Sequence, residues 1–144
     1  MQEQTEKLSL AIVTPTEQLV FEQVDELRVP GTEGDFEVFP EHTPFLTSLR
    51  PGVLSYRIGA KIQYFAVSGG FVEVIPDRVI ILAQTAESSD SISVDRAKKA
   101  KERAKRRLES ANKGDREIDV ERAETALLRA VARLSACTLA GKKF

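Results

Sequence analysis

The sequence predicts a flattened antiparallel β-sandwich followed by a two-helix antiparallel hairpin, and three observations predict it. Up to Leu82, short apolar runs are separated by Gly, Pro and Asp at intervals of about eight to twelve residues, the rhythm of an all-β domain. From Ile92 onward, proline disappears and apolar residues recur at helical spacing. One phrase also occurs twice, Ile92-Ser93-Val94-Asp95-Arg96-Ala97 and Ile118-Asp119-Val120-Glu121-Arg122-Ala123.

The strands follow in order. Leu8, Leu10 and Ile12 alternate with Ser9, Ala11 and Val13 until Pro15. Leu19-Val20-Phe21 makes a second strand, and Val24, Leu27 and Val29 a third, stopped by Pro30-Gly31. Gly34-Asp35 turns into Phe36-Glu37-Val38-Phe39, and Phe45 to Leu49 runs from Pro44 to Arg50-Pro51-Gly52. Val53 to Ile58 and Lys61 to Val67 flank a hairpin turn at Gly59-Ala60, with Ile62, Tyr64 and Ala66 on one side of the return strand. Ser68-Gly69-Gly70 reads as a corner before Phe71 to Ile75. After Pro76-Asp77-Arg78, Val79-Ile80-Ile81-Leu82-Ala83 is apolar on both sides, which predicts a central strand. The polar stretch Glu87 to Ser91 is the link, so the domains read as 1–87 and 88–144.

Each copy of the repeated phrase is a helix start. Ser93 and Asp119 supply N-cap oxygens, and Asp95 and Glu121 put negative charge in the first turn. The first helix carries the stripe Val94, Ala97, Ala100, Ala104, Leu108 and Ala111. The second carries Val120, Ala123, Leu127, Ala130, Val131 and Leu134. A stripe made mostly of alanine buries little area, so the hairpin reads as an arm able to change partners. Charge divides the same way: residues 1–90 net −8 and residues 91–144 net +7. The first helix holds Arg96, Lys98, Lys99, Lys101, Arg103, Lys105, Arg106 and Arg107, an array that calls for an acidic partner or solvent.

Chemistry-bearing constellations are scarce. His42, the one histidine, sits in Pro40-Glu41-His42-Thr43-Pro44 and reads as a loop residue, with no nucleophile motif and no His/Cys set for a metal. The one cysteine, Cys137, lies on the second helix's stripe as a small buried residue. Ser68-Gly69-Gly70 is too short for a phosphate loop. The basic helix has no aromatic residue to stack on bases, which argues against nucleic acid. No apolar run approaches the roughly 20 residues of a membrane span. A stand-alone β-sandwich enzyme and a basic-helix binding module are the competing classes.

Three stretches resemble the epsilon-subunit family of bacterial F-type ATP synthases. They are Leu10-Ala11-Ile12-Val13-Thr14-Pro15, then Gly34-Asp35-Phe36 with Val38-Phe39-Pro40-Glu41-His42-Thr43-Pro44, then Ser68-Gly69-Gly70-Phe71-Val72-Glu73-Val74. The resemblance implies a sandwich of about ten strands plus two helices. It also implies a noncatalytic central-stalk subunit that couples the gamma subunit to the membrane c-subunit ring. Such a subunit sits peripherally on the cytoplasmic face of the inner membrane, without inserting into it. Asp35 and His42 match the family's ring-contacting positions, while Glu37 stands where the family often has glycine.

The resemblance further implies a brake. An extended arm reaches the alpha/beta catalytic head and blocks ATP hydrolysis, with Arg103, Arg106 and Arg107 as the basic face that meets it. No tightly bound cofactor is implied. Some members bind ATP in the folded arm, and Glu87, Ile92, Arg96, Arg103, Arg129 and Arg133 match those contacts. Ser93 replaces the motif's aspartate, so the expected binding is weak.

Overall fold

The order of the chain's elements follows the turn residues closely. The computed structural model describes residues 6–41 and 43–144. Its strands are β1 (Leu8–Val13), β2 (Gln18–Val24), β3 (Glu26–Gly31), β4 (Gly34–Val38), β5 (Phe45–Ser48), β6 (Gly52–Ile58), β7 (Lys61–Ile75) and β8 (Arg78–Ser88). A single 3-10 turn at Ser89–Ser91 leads into α1 (Val94–Asn112) and α2 (Val120–Leu139).

All eight strands belong to one hydrogen-bonded sheet, ordered β2-β1-β8-β7-β6-β3-β4 with β5 added to β7. It forms a sandwich because β7 and β8 are long enough to serve two layers. The first layer is β2, β1, the start of β8, the end of β7, and β5. The second is β4, β3, β6, the start of β7, and the end of β8. Eight strands thus give ten strand segments. Every pairing among the described residues is antiparallel except β1 with β8, which is parallel and joins the start of the sandwich to its last strand.

The crossing point is Ser68-Gly69-Gly70. The corner expected there is a bend inside a continuous strand. Gly69 and Gly70 hold φ of 69° and 101°, and a Cβ on Gly70 would lie 1.7 Å from the Leu82 carbonyl oxygen. Only glycine fits so close to the neighbouring strand. Beyond the bend, the side chains facing the core change from Phe65 and Val67 to Val72 and Val74. Between the layers lies one core of eighteen buried residues, including Leu8, Leu10, Ile12, Leu27, Val29, Leu54 and Ile81.

One strand edge that differs from expectation lies after β2. Val24 ends β2 instead of opening β3, because Asp25 turns the chain. The Asp25 N–H donates to the Arg57 carbonyl at 2.8 Å, and its carboxylate accepts from Lys7 and from the Gly59 N–H at 2.7 Å. The Lys7 and Gly59 hydrogen bonds hold this carboxyl below its ordinary pKa.

Both helix caps form as expected: Ser93 Oγ accepts from the Arg96 N–H at 3.3 Å, and Asp119 Oδ1 from the Arg122 N–H at 3.1 Å. α2 lies on the outer side of β6 and β7, and α1 lies against α2. Their contact with the sheet is a second, small cluster of Ala66, Ile92, Ala97, Ala132, Ala136 and Cys137. Val120 and Val131, expected on the buried stripe, are 44% and 39% exposed. Val131 faces a groove of about 590 Å³ beside α2, together with Leu128 and Leu139. Its floor is a set of ion pairs already closed on themselves, Arg28 with Glu37 at 2.8 Å and Arg57 with Glu26 at 3.1 Å.

Candidate functional site

The arm is tied to the sandwich by three side chains, all from α2 or the tail after it. Arg129 Nε donates to Ser68 Oγ at 2.9 Å, at the bend of β7. Arg133 Nε donates to Glu87 Oε1 at 2.8 Å, on the last turn of β8. Lys142 Nζ donates to the carbonyls of Ser89 and Ile92, each at 2.7 Å. These are charge-assisted hydrogen bonds at half-buried positions, stronger than neutral ones.

This junction holds most of the nucleotide positions expected from sequence. Glu87, Arg129 and Arg133 meet there, and Ile92 is buried in the alanine cluster beside them. Arg96 and Arg103 stand on the exposed side of α1, and neither makes a side-chain ion pair among the described residues. The space enclosed by Ser68, Glu87, Arg129 and Arg133 is about 10 Å³. That volume suits one water at most. With the arm in this position the Nε–H groups of Arg129 and Arg133 are bonded to the protein's own groups.

Arg103, Arg106 and Arg107 are all exposed along α1. The single polar contact among them is Arg106 Nε with the Glu102 carbonyl at 3.4 Å, within the same helix. Among the described residues, no acidic side chain of the sandwich pairs with this face. Elsewhere, Asp35 stands exposed at the β3–β4 turn, paired with Arg50. Thr32 fixes that turn to β5 through a 2.8 Å hydroxyl contact with Ser48. His42, the other expected ring-contact residue, lies outside the described residues.

The outer face of the first layer is bare. The strand register places Phe21, Ala11, Ile80, Glu73 and Leu46 in one row across β2, β1, β8, β7 and β5. The adjoining row is Val13, Leu82, Phe71 and Ser48. Phe21 is 71% exposed, Leu46 69%, Phe71 56% and Leu82 49%. Large apolar side chains side by side on a sheet are the signature of an interaction surface. Sequence reading took Val79 to Ala83, apolar on both sides, as a central strand, and β8 does lie between β1 and β7. Among the described residues, the second side of β8 is left partly open, with Leu82 49% exposed.

No helix among the described residues is long and apolar enough to cross a membrane. Residues 7–89 match the family model for the β-sandwich domain of the ATP synthase delta/epsilon chain, and residues 90–138 match the model for its long α-helix domain. The ATP synthase epsilon chain of Syntrophobacter fumaroxidans is 51% identical over 129 residues, covering 90% of this chain and 94% of that protein. Epsilon chain 1 of Syntrophotalea carbinolica is 44% identical, covering 95% and 98%. Among solved structures, a chain of the Euglena gracilis mitochondrial ATP synthase OSCP/F1/c-ring assembly superposes with a TM-score of 0.80 at 25% identity, over 94% of this chain and 84% of that one. A central stalk/c-ring structure from Tetrahymena thermophila shares the fold at a TM-score of 0.56 and 16% identity.

Proposed function

The chain belongs to the ATP synthase delta/epsilon family, and from that membership we propose that it is a central-stalk coupling subunit carrying a brake on ATP hydrolysis. As an epsilon chain it is noncatalytic. The sandwich is the permanent hub, seated on gamma and on the c-subunit ring, and the two helices are the brake. The observation that carries this reading is the division of the sandwich's outer faces. One face holds the arm through small residues and three polar ties; the other is bare, apolar and free for a lasting contact. A rotor part that grips one partner permanently and releases another on demand needs two such faces.

We assign the bare face, with Phe21, Leu46, Phe71 and Leu82, to gamma. The β3–β4 turn with Asp35, and His42, belong to the c-ring. The exposed basic row of Arg103, Arg106 and Arg107 meets the alpha/beta head when the arm is extended, and a peripheral place on the cytoplasmic face of the inner membrane follows. Reconstitution with two variants tests both halves. Leu82→Asp should weaken retention by gamma about tenfold or more, the size expected for a central apolar contact. The triple reversal Arg103→Glu, Arg106→Glu, Arg107→Glu should leave retention intact and raise ATP hydrolysis severalfold. Undiminished retention of the first variant removes the gamma assignment, and unchanged hydrolysis with the second removes the brake.

ATP binding to the arm, through Glu87, Ile92, Arg96, Arg103, Arg129 and Arg133, is weak in this reading. A nucleotide must displace Glu87 from Arg133 and Ser68 from Arg129, and must open a space now about 10 Å³ in size. Ser93 brings no carboxylate to help it. Titration calorimetry should give a Kd of about 1 mM, roughly −4 kcal/mol. A micromolar Kd contradicts this closure argument, and the absence of heat at 10 Kd removes nucleotide from the function.

A further inference from the structure

A brake that swings out must turn about the segment joining β8 to α1, residues 89–93. That segment is the only covalent connection between sandwich and arm. It carries the carbonyls of Ser89, the first residue of the 3-10 turn, and of Ile92, its C-cap. Both carbonyls accept from a single ammonium, Lys142 Nζ, at 2.7 Å each. Lys142 comes from the far end of the hairpin. It reaches the root because α2 ends in a reversed turn: Gly141 has φ 79°, its N–H meets the Thr138 carbonyl at 3.0 Å, and the Lys142 N–H meets the Cys137 carbonyl at 2.9 Å. This is the hydrogen-bond pattern of a Schellman cap, and it aims the tail back along the helix. Two residues further, the Phe144 ring lies 5.1 Å from Lys98 Nζ, on the first turns of α1.

We propose that Lys142 is a hinge lock. One cation gripping two carbonyls fixes the backbone orientation on both sides of the pivot. The grip exists only while α2 is folded back on the sandwich. Arg129 and Arg133 hold the body of the arm, whereas Lys142 holds the axis about which it would turn. Releasing it frees the pivot and raises the population of arms off the sheet. The use of such a lock rests on the brake reading; its presence in the isolated chain does not.

Cys137 provides a native reporter. It is the only cysteine and is fully buried between arm and sheet. In the full isolated chain, Lys142→Ala should raise the rate of Cys137 thiol labelling about tenfold, equivalent to about 1.4 kcal/mol of docking. Hydrogen exchange of residues 124–134 should rise by a similar factor while β1 and β8 stay protected. Lys143→Ala, changing a neighbouring exposed lysine with no side-chain partner among the described residues, should match the parent, and Lys142→Arg should restore most of the protection. An unchanged labelling rate overturns the proposal. So does an increase confined to residues 135–144, which would mean fraying of the last turn alone. Should the lock fail while the triple arginine reversal still speeds hydrolysis, the brake stands without this device. The opposite pair of results keeps the lock and removes the brake.

Discussion

The two buried clusters of this molecule are built from different residues. The sandwich core has eighteen members, of which Ala83 is the only alanine; the rest are Leu, Ile, Val, Phe and Tyr. The buried cluster between arm and sheet has six members, four of them alanines, with Val53, Tyr64, Val94 and Leu134 packed half-buried around it. Burying a Leu, Ile or Val side chain contributes about 1.5–3 kcal/mol, whereas one methyl group contributes about 0.8 kcal/mol. The core therefore holds its two layers by apolar area, and the arm is held mainly by placement. Three polar ties from Arg129, Arg133 and Lys142 set where it sits. Apolar area resists every displacement, while a hydrogen bond to a charged group is lost once its geometry is broken, with water ready to replace it. The difference between a firmly packed sandwich and a lightly packed arm is thus written in side-chain size.

The largest effect that can test this contrast is a cavity in the core. Leu10 is fully buried in β1, a strand paired with β2 on one side and β8 on the other. Leu10→Ala should cost about 3 kcal/mol, within the usual range for such truncations. Because β1 ties the start of the sandwich to its last strand, both layers of the sheet should lose structure together in a urea titration. A variant in which one layer melts first, with the other unmoved, would contradict a single core shared by both layers.

Much of this arrangement was legible in the residues themselves. Alternation at Leu8, Leu10 and Ile12, the caps Ser93 and Asp119, and the alanine stripe at Ala97 and Ala104 each rest on local rules that the fold obeys. What stayed hidden depends on which neighbour comes to lie alongside. The run Val79 to Leu82 has the same composition whether its second side is covered by protein or open to a partner, so the bare face of Phe71 and Leu82 was invisible until register placed them together. The parallel pairing of β1 with β8 is a similar long-range fact. Lys142 carried no signal at all. It sits near the C-terminus in a stretch of ordinary polar residues, and its role arises only because an antiparallel hairpin returns its end to its own root. Among the proposed site residues, Glu87, Arg129 and Arg133 were named from the family resemblance alone, and the structure adds that Arg133 pairs with Glu87 and Arg129 with Ser68.

A smaller effect on global stability, and a sharper one on the comparison, comes from charging the arm's own interface. Ala136 is fully buried against the sheet. In a rigid core, an unpaired aspartate at such a position would cost several kcal/mol, because a buried carboxylate loses its water. The arm has an escape that the core lacks. By leaving the sheet, Ala136→Asp returns its charge to solvent and forfeits only the docking free energy. The cost is therefore capped at what this alanine-rich cluster, its half-buried neighbours and three polar ties supply. We expect the urea midpoint of the sandwich to move by less than the equivalent of about 1 kcal/mol, within the range of ordinary surface substitutions. Over the same series, Cys137 should react with thiol reagents at nearly the rate of an unfolded chain. If Ala136→Asp instead lowers the sandwich as far as Leu10→Ala does, the two clusters are one core, and an arm that swings away cannot be part of this protein's action.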